Sequence, residues 1–168
     1  REIGAALAKQ KYTVITGGNK GVAEAANQGA FEHGGESVGV GMDVRGKMTL
    51  NSYLTKSIHF SFPFTRKLIL TTPTNAFIFF PGGFGTLHQL FEVLTLIQTK
   101  KMTKVPVILV DHEYWGPLHN YIKTILVHDV DTIANEDDEL YQIVDSAESA
   151  IKVLAETAKH DVNAGAQG

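Results

Sequence analysis

The run Asn75-Ala-Phe-Ile-Phe-Phe80 leads directly into Pro81-Gly-Gly-Phe-Gly85, and Thr86 to Thr99 then repeats apolar residues at helical spacing. This order constrains the fold more than any other feature of the chain. A short, continuous apolar run bounded by a turn fits a strand covered on both faces. Tyr12-Thr-Val-Ile-Thr16, Gly17-Gly18 and the Ala-rich segment Gly21 to His33 repeat the pattern earlier in the chain. Further strands are expected at Ser37 to Gly41, Ile58 to Phe62, Pro106 to Val110 and Tyr141 to Val144. Helices are expected at Arg1 to Gln10, from Pro63 until Pro73 stops it, at Tyr114 to Val127 and from a Ser146 cap onward. Met42 to Lys56 has no period and reads as an extended loop. Strands alternating with helices predict an α/β fold, with a mostly parallel sheet and helices on both faces.

Composition excludes several classes. The 168 residues hold 15 Lys plus Arg against 18 Asp plus Glu, a net charge of -3. That balance argues against a partner recognised by charge alone, such as nucleic acid or an anionic membrane. There is no cysteine, hence no disulfide, thiolate metal site or cysteine nucleophile. A reducing, cytoplasmic location is the expectation. The apolar stretch Ala76–Phe80 is far shorter than the ~20 residues a membrane helix needs.

Two junctions carry the chemistry, Thr16-Gly17-Gly18-Asn19-Lys20-Gly21 and Pro81-Gly82-Gly83-Phe84-Gly85-Thr86. Glycine lets a backbone approach an anion, and a helix N-terminus offers N–H groups and partial positive charge. Ligands of open α/β sheets sit at the carboxyl ends of strands, where both junctions fall. A phosphate or nucleotide site is therefore favoured over two ordinary turns.

The segment Pro81-Gly-Gly-Phe-Gly-Thr-Leu-His-Gln-Leu-Phe-Glu92 resembles the PGGxGTxxE signature of the Lonely Guy (LOG) family, long labelled lysine decarboxylase-like. Thr16-Gly-Gly with Gly21 to Ala30, Arg66-Lys67, Phe91 to Gln98 and Pro106 to Val110 extend the match over roughly residues 1 to 155. The resemblance implies a Rossmann-like three-layer fold, one domain over 1–160 followed by a flexible tail at 161–168, and a homodimer. It implies phosphoribohydrolysis of nucleoside 5'-monophosphates such as AMP, giving free base and ribose 5-phosphate. No cofactor, metal, nucleic acid or membrane is implied, and no convincing pyridoxal phosphate site supports the decarboxylase label. The family's opening strand with its Gly-Ser motif has no counterpart here, so a strand is expected to precede Arg1.

Cleaving an N-glycosidic bond builds positive charge on the ribose, which a carboxylate can stabilise while it activates water. The resemblance assigns catalysis to Arg66 and to the Glu that ends the motif. Phosphate binding falls to Thr16, Gly17, Gly18, Gly82, Gly83, Gly85 and Thr86, with Lys67 either assisting or merely solvated. This chain departs from the pattern where it matters most: Gln89 stands in place of the Glu. A neutral amide is no general base. Glu92, three residues on, shares a helix face with Gln89. It is either a substitute carboxylate or an ordinary member of the helix pattern. His88 is either an acid–base group or a surface histidine.

Other residues have blander readings. His112 and His119 flank Pro117 and read as loop and helix-surface residues. The seven histidines form no metal pattern. GGNKG lacks the full P-loop spacing around Lys20. Trp115 reads as a partly buried packing residue. Leu87, Leu90, Phe91, Leu94 and Ile97 read as core or dimer interface, and Asp129 to Glu139 as a solvated acidic loop. Three functions stay open: a phosphoribohydrolase, a nucleotide-binding carrier or sensor that has lost hydrolysis through Gln89, and a purely structural dimer.

Overall fold

A computed structural model describes residues 1–43, 50–72 and 74–165, the last eight of these as backbone. The middle of the Met42–Lys56 loop, Pro73 as a helix stop and the end of the expected tail lie outside the described residues. The fold is α/β: α1 (Glu2–Lys9), β1 (Val14–Thr16), α2 (Val22–Glu32), β2 (Ser37–Met42), β3 (Lys56–Phe60), α3 (Pro63–Thr71), β4 (Phe77–Phe79), α4 (Phe84–Gln98), β5 (Val107–Val110), α5 (His112–Tyr121), β6 (Gln142–Val144) and α6 (Ala147–Gly165). A π-helical segment, Ile122–Asp129, and a 3-10 turn, Asn135–Glu139, lie between α5 and β6. The chain falls into two compact units, Arg1–Thr74 and Asn75–Gly168.

The first unit holds a parallel sheet in the order β1-β2-β3, with Val14 opposite Ser37 and Val38 opposite Lys56. Its helices pack through small residues. A Cβ on Gly4 would lie 2.1 Å from the Ala26 carbonyl oxygen, and one on Gly29 would lie 2.0 Å from that of Arg1. Only glycine allows α1 and α2 this close, above a core of Ala8, Val14 and Ala30. Pro63 opens α3 at its first turn, where the missing N–H would have no helical partner.

The second unit holds a parallel sheet in the order β4-β5-β6. Phe77, Phe79, Val107 and Leu109 join Leu90, Val93, Leu94 and Ile97 of α4 in one core, with Trp115 and Tyr141. Ile108 is equally buried, so β5 is covered on both faces. Of the expected stripe on α4, Leu90, Leu94 and Ile97 enter the core and Leu87 packs against it, which leaves Phe91 with the interface reading alone. Phe91 is 39% exposed and Val93 is fully buried in its stead, because the 3.6-residue period aligns 90, 93, 94 and 97 on one side.

The end of β5 also differs from expectation. α5 begins at His112, two residues early, because the Asp111 carboxylate accepts the N–H groups of Glu113 and Tyr114. His112 is therefore helical rather than a loop residue. Pro117 lies inside the helix. Trp115 is fully buried, and its indole N–H donates to the Val110 carbonyl at 3.1 Å. α6 continues as helical backbone to Gly165.

Candidate functional site

In the first unit the carboxyl end of β1 opens into Thr16-Gly17-Gly18. The Thr16 hydroxyl accepts the Gly18 N–H at 2.9 Å and donates to Asn27 Oδ1 at 2.6 Å. Gly18 holds φ at +71°, a left-handed conformation that side chains rarely adopt. Its carbonyl accepts both the Asn51 backbone N–H at 2.8 Å and Asn51 Nδ2 at 3.1 Å. Both backbone groups of Gly18 are thus held from inside, and the Thr16 hydroxyl serves the turn.

Arg66, on α3, lies against this turn. Its Nε donates to the Val40 carbonyl at 2.7 Å and an Nη to the Gly17 carbonyl at 3.4 Å. A Cβ on Gly17 would come within 2.4 Å of that Nη, so glycine at 17 is what lets the guanidinium seat there. Partial burial pushes the Arg66 guanidinium below its ordinary value, yet an arginine stays protonated at neutral pH. The result is a half-buried cation held on backbone carbonyls beside a glycine turn. Lys67 follows it and is also half-buried, whereas Lys20 is exposed.

In the second unit the carboxyl end of β4 opens into Pro81-Gly82-Gly83, and α4 starts at Phe84 without a side-chain cap. Helix-starting N–H groups left without a side-chain acceptor suit an anion. The Thr86 side chain folds back over Gly82, its Oγ1 only 2.2 Å from where a Cβ would stand. The Tyr114 hydroxyl donates to the Gly82 carbonyl, tying the start of α5 to the glycine turn. Gln89 and Glu92 are both half-buried on α4, and Glu92 Oε2 is shielded from solvent; His88 is exposed. His112 Nδ1 pairs with Asp145 Oδ2 at 2.8 Å, and the other Asp145 oxygen accepts the His112 backbone N–H. Those bonds hold the Asp145 carboxyl below its usual range, the backbone N–H contributing most.

Each unit therefore assembles its own share of the expected residues: Thr16, Gly17, Gly18, Arg66 and Lys67 in one, and Gly82, Gly83, Gly85, Thr86, Gln89 and Glu92 in the other. Sequence reasoning missed Asn27, Ser37, Asn51 and Tyr114. One signal was present for Asn27: a poor helix former on the same side of an Ala-rich helix as Ala30. Among the described residues no group of three or more His, Asp or Glu side chains is arranged to hold a metal. No described helix is long and apolar enough to cross a membrane.

A family model described as possible lysine decarboxylase matches residues 23–154, most of the chain. This chain belongs to the LOG, or lysine decarboxylase-like, family. A cytokinin riboside 5'-monophosphate phosphoribohydrolase from Rhodococcoides fascians is 32% identical over 124 residues, 72% of this chain and 63% of that relative. The chain thus spans less than two thirds of the relative's length. Solved structures share the Rossmann-like LOG fold. A molybdenum cofactor binding protein from Rippkaea orientalis superposes with a TM-score of 0.69 at 22% identity, over 94% of this chain and 84% of that one. The molybdenum cofactor carrier protein of Chlamydomonas reinhardtii gives 0.68 at 22% identity, over 92% and 82%. A structural genomics target gives 0.67 at 26% identity, over 92% and 84%. The fold of this LOG-family chain is therefore shared by proteins of different function, and its own function has to be argued from its residues.

Proposed function

We propose that this chain binds nucleoside 5'-monophosphates, AMP among them, and cleaves their N-glycosidic bond. The observation that carries the reading is Arg66, a half-buried guanidinium seated on the Gly17 carbonyl just past β1 and the Val40 carbonyl within β2. A cation fixed this way suits a phosphate ester better than a surface lysine would. The relative from Rhodococcoides fascians, a phosphoribohydrolase, supports the same reaction class. Arg66 and Lys67 neutralise phosphate charge beside Thr16, Gly17 and Gly18. The N–H groups at Gly82, Gly83 and Gly85, with Thr86, supply neutral donors at the start of α4.

In the reaction a water oxygen bonds to C1' of the ribose and the C1'–N bond breaks. The electron pair leaves with the base, which takes up a proton, and the water proton passes to a carboxylate. Gln89 cannot accept that proton. Glu92, on the same helix face, is the carboxylate we assign to the step. The chain is read further as a homodimer acting in the cytoplasm without a cofactor; light scattering on the purified chain tests the dimer.

The direct experiment incubates the protein with AMP and quantifies adenine by chromatography. Adenine release that falls at least tenfold in Arg66→Ala is the expected result. A second reading rests on Gln89 itself: with the motif carboxylate replaced by an amide, the chain would bind nucleotides without cleaving them. Tight AMP binding with no adenine release would favour that reading, and neither binding nor release would remove both.

A further inference from the structure

Four side chains beneath the first glycine turn form a closed hydrogen-bonded set. Asn27 and Ser37 are fully buried and Asn51 is 7% exposed. Asn27 Oδ1 accepts from the Thr16 hydroxyl at 2.6 Å and from Asn51 Nδ2 at 3.0 Å. Asn27 Nδ2 donates to Ser37 Oγ at 2.8 Å, and Ser37 donates onward to the Tyr53 carbonyl at 2.7 Å. Asn51 Oδ1 accepts the Tyr53 N–H at 3.0 Å. These partners fix which end of each amide is oxygen and which is nitrogen.

Burying two amides and two hydroxyls under a sheet edge is costly unless every one is paired. Apolar residues would fill the same volume more simply. What the polar set adds is direction: its bonds converge on Gly18, whose N–H is held by Thr16 and whose carbonyl is held twice by Asn51. The next peptide back, Gly17, is the surface on which the Arg66 guanidinium lies. That turn supplies one of the two carbonyls on which Arg66 is seated, the other being that of Val40.

We infer that Asn27, Asn51 and Ser37 are positioning residues that, through the Thr16–Gly18 turn, aim Arg66 at its phosphate. The inference deepens the reading of Arg66 as a phosphate ligand and rests on it for its consequence in binding. A displacement of about 1 Å at such a group is enough to change its effect by up to about 10²-fold.

The test uses the full chain carrying Thr16→Val, which keeps the shape but removes both the bond to Asn27 and the acceptor for the Gly18 N–H. Thr16→Ser, which keeps both, is the rescue variant. If Thr16→Val fails to fold, Asn51→Ser replaces it, because it removes both bonds that the Asn51 amide donates to Gly18 and Asn27. Two quantities are read: hydrogen exchange of the Arg66 Nη–H that faces the Gly17 carbonyl, by NMR, and AMP affinity by calorimetry. The expected result is at least about tenfold faster Nη–H exchange and about tenfold weaker AMP binding in Thr16→Val. Both return in Thr16→Ser, and the affinity loss vanishes in an Arg66→Ala background. A lower melting temperature with Arg66 exchange and AMP affinity unchanged would overturn the inference and leave the network a stabilising feature only. If the wild-type protein binds no AMP, the proposed function fails; the Arg66 exchange then decides the positioning claim alone, for or against.

Discussion

An amide and a carboxylate of similar length differ most when positive charge develops nearby. Gln89 can orient a substrate hydroxyl, but it can neither neutralise an oxocarbenium nor take a proton from water. Glu92 can do both, and both residues are half-buried on α4. Two substitutions separate their roles. Gln89→Glu is expected to raise adenine release from AMP by at least tenfold, since a positioned general base contributes about 10²–10⁴-fold. Glu92→Gln is expected to abolish whatever release the wild-type chain shows, with AMP affinity reduced less than threefold. Unchanged turnover in Glu92→Gln would remove that residue from the mechanism. Arg66 and both glycine turns could be read from the sequence because each lies in a short local motif. Asn51 and Tyr114 could not, because their bonds reach Asn27 and Gly82 across 24 and 32 positions, and nothing local marks such a partner.

At the scale of elements, helical period outranks side-chain size. Phe91 is the largest apolar residue in the middle of α4 and invites placement in the core. The core takes Leu90, Val93, Leu94 and Ile97 and leaves Phe91 turned outward. The corresponding expectation is a contrast between neighbours. Leu90→Ala is expected to destabilise by about 3 kcal/mol, within the range for emptying a packed leucine site. Phe91→Ala is expected to cost under about 1 kcal/mol. Urea denaturation of the two variants checks this, and equal losses would contradict the assignment of faces. Strand and helix positions followed from alternation and glycine punctuation to within a few residues. The early start of α5 did not, because it depends on Asp111 adopting φ of 100° and capping with its own carboxylate. The π-helical continuation from Ile122 likewise has no sequence mark.

Over the whole molecule, titrating groups make stability depend on pH, and the acid and alkaline sides have different contributors. Glu32, Glu36 and Asp145 have carboxyls held below their ordinary values, chiefly by hydrogen bonds from Arg1, Lys56 and the His112 backbone N–H respectively. Their contribution is present above the unfolded value near ~4 and is lost as pH falls through the lower folded values. On the alkaline side the contributor is Tyr141. It is buried in the core of the second unit, with its hydroxyl 2.9 Å from His119 Nδ1. Burial, and secondarily the charge of Asp138, pushes the phenol up to about 12. An unfolded tyrosine releases its proton near ~10, so above that pH the unfolded state binds fewer protons than the folded state, and stability falls with rising pH. The contribution is complete below about pH 10 and disappears as pH approaches 12. Urea midpoints measured from about pH 8 to about pH 11.5 are therefore expected to drop more steeply in the wild-type chain than in Tyr141→Phe, which has no proton to lose. The remaining tyrosines contribute equally to both proteins and cancel in the comparison. Parallel curves would mean that the Tyr141 hydroxyl ionises as freely in the folded chain as in the unfolded one, and that the alkaline contributor lies elsewhere.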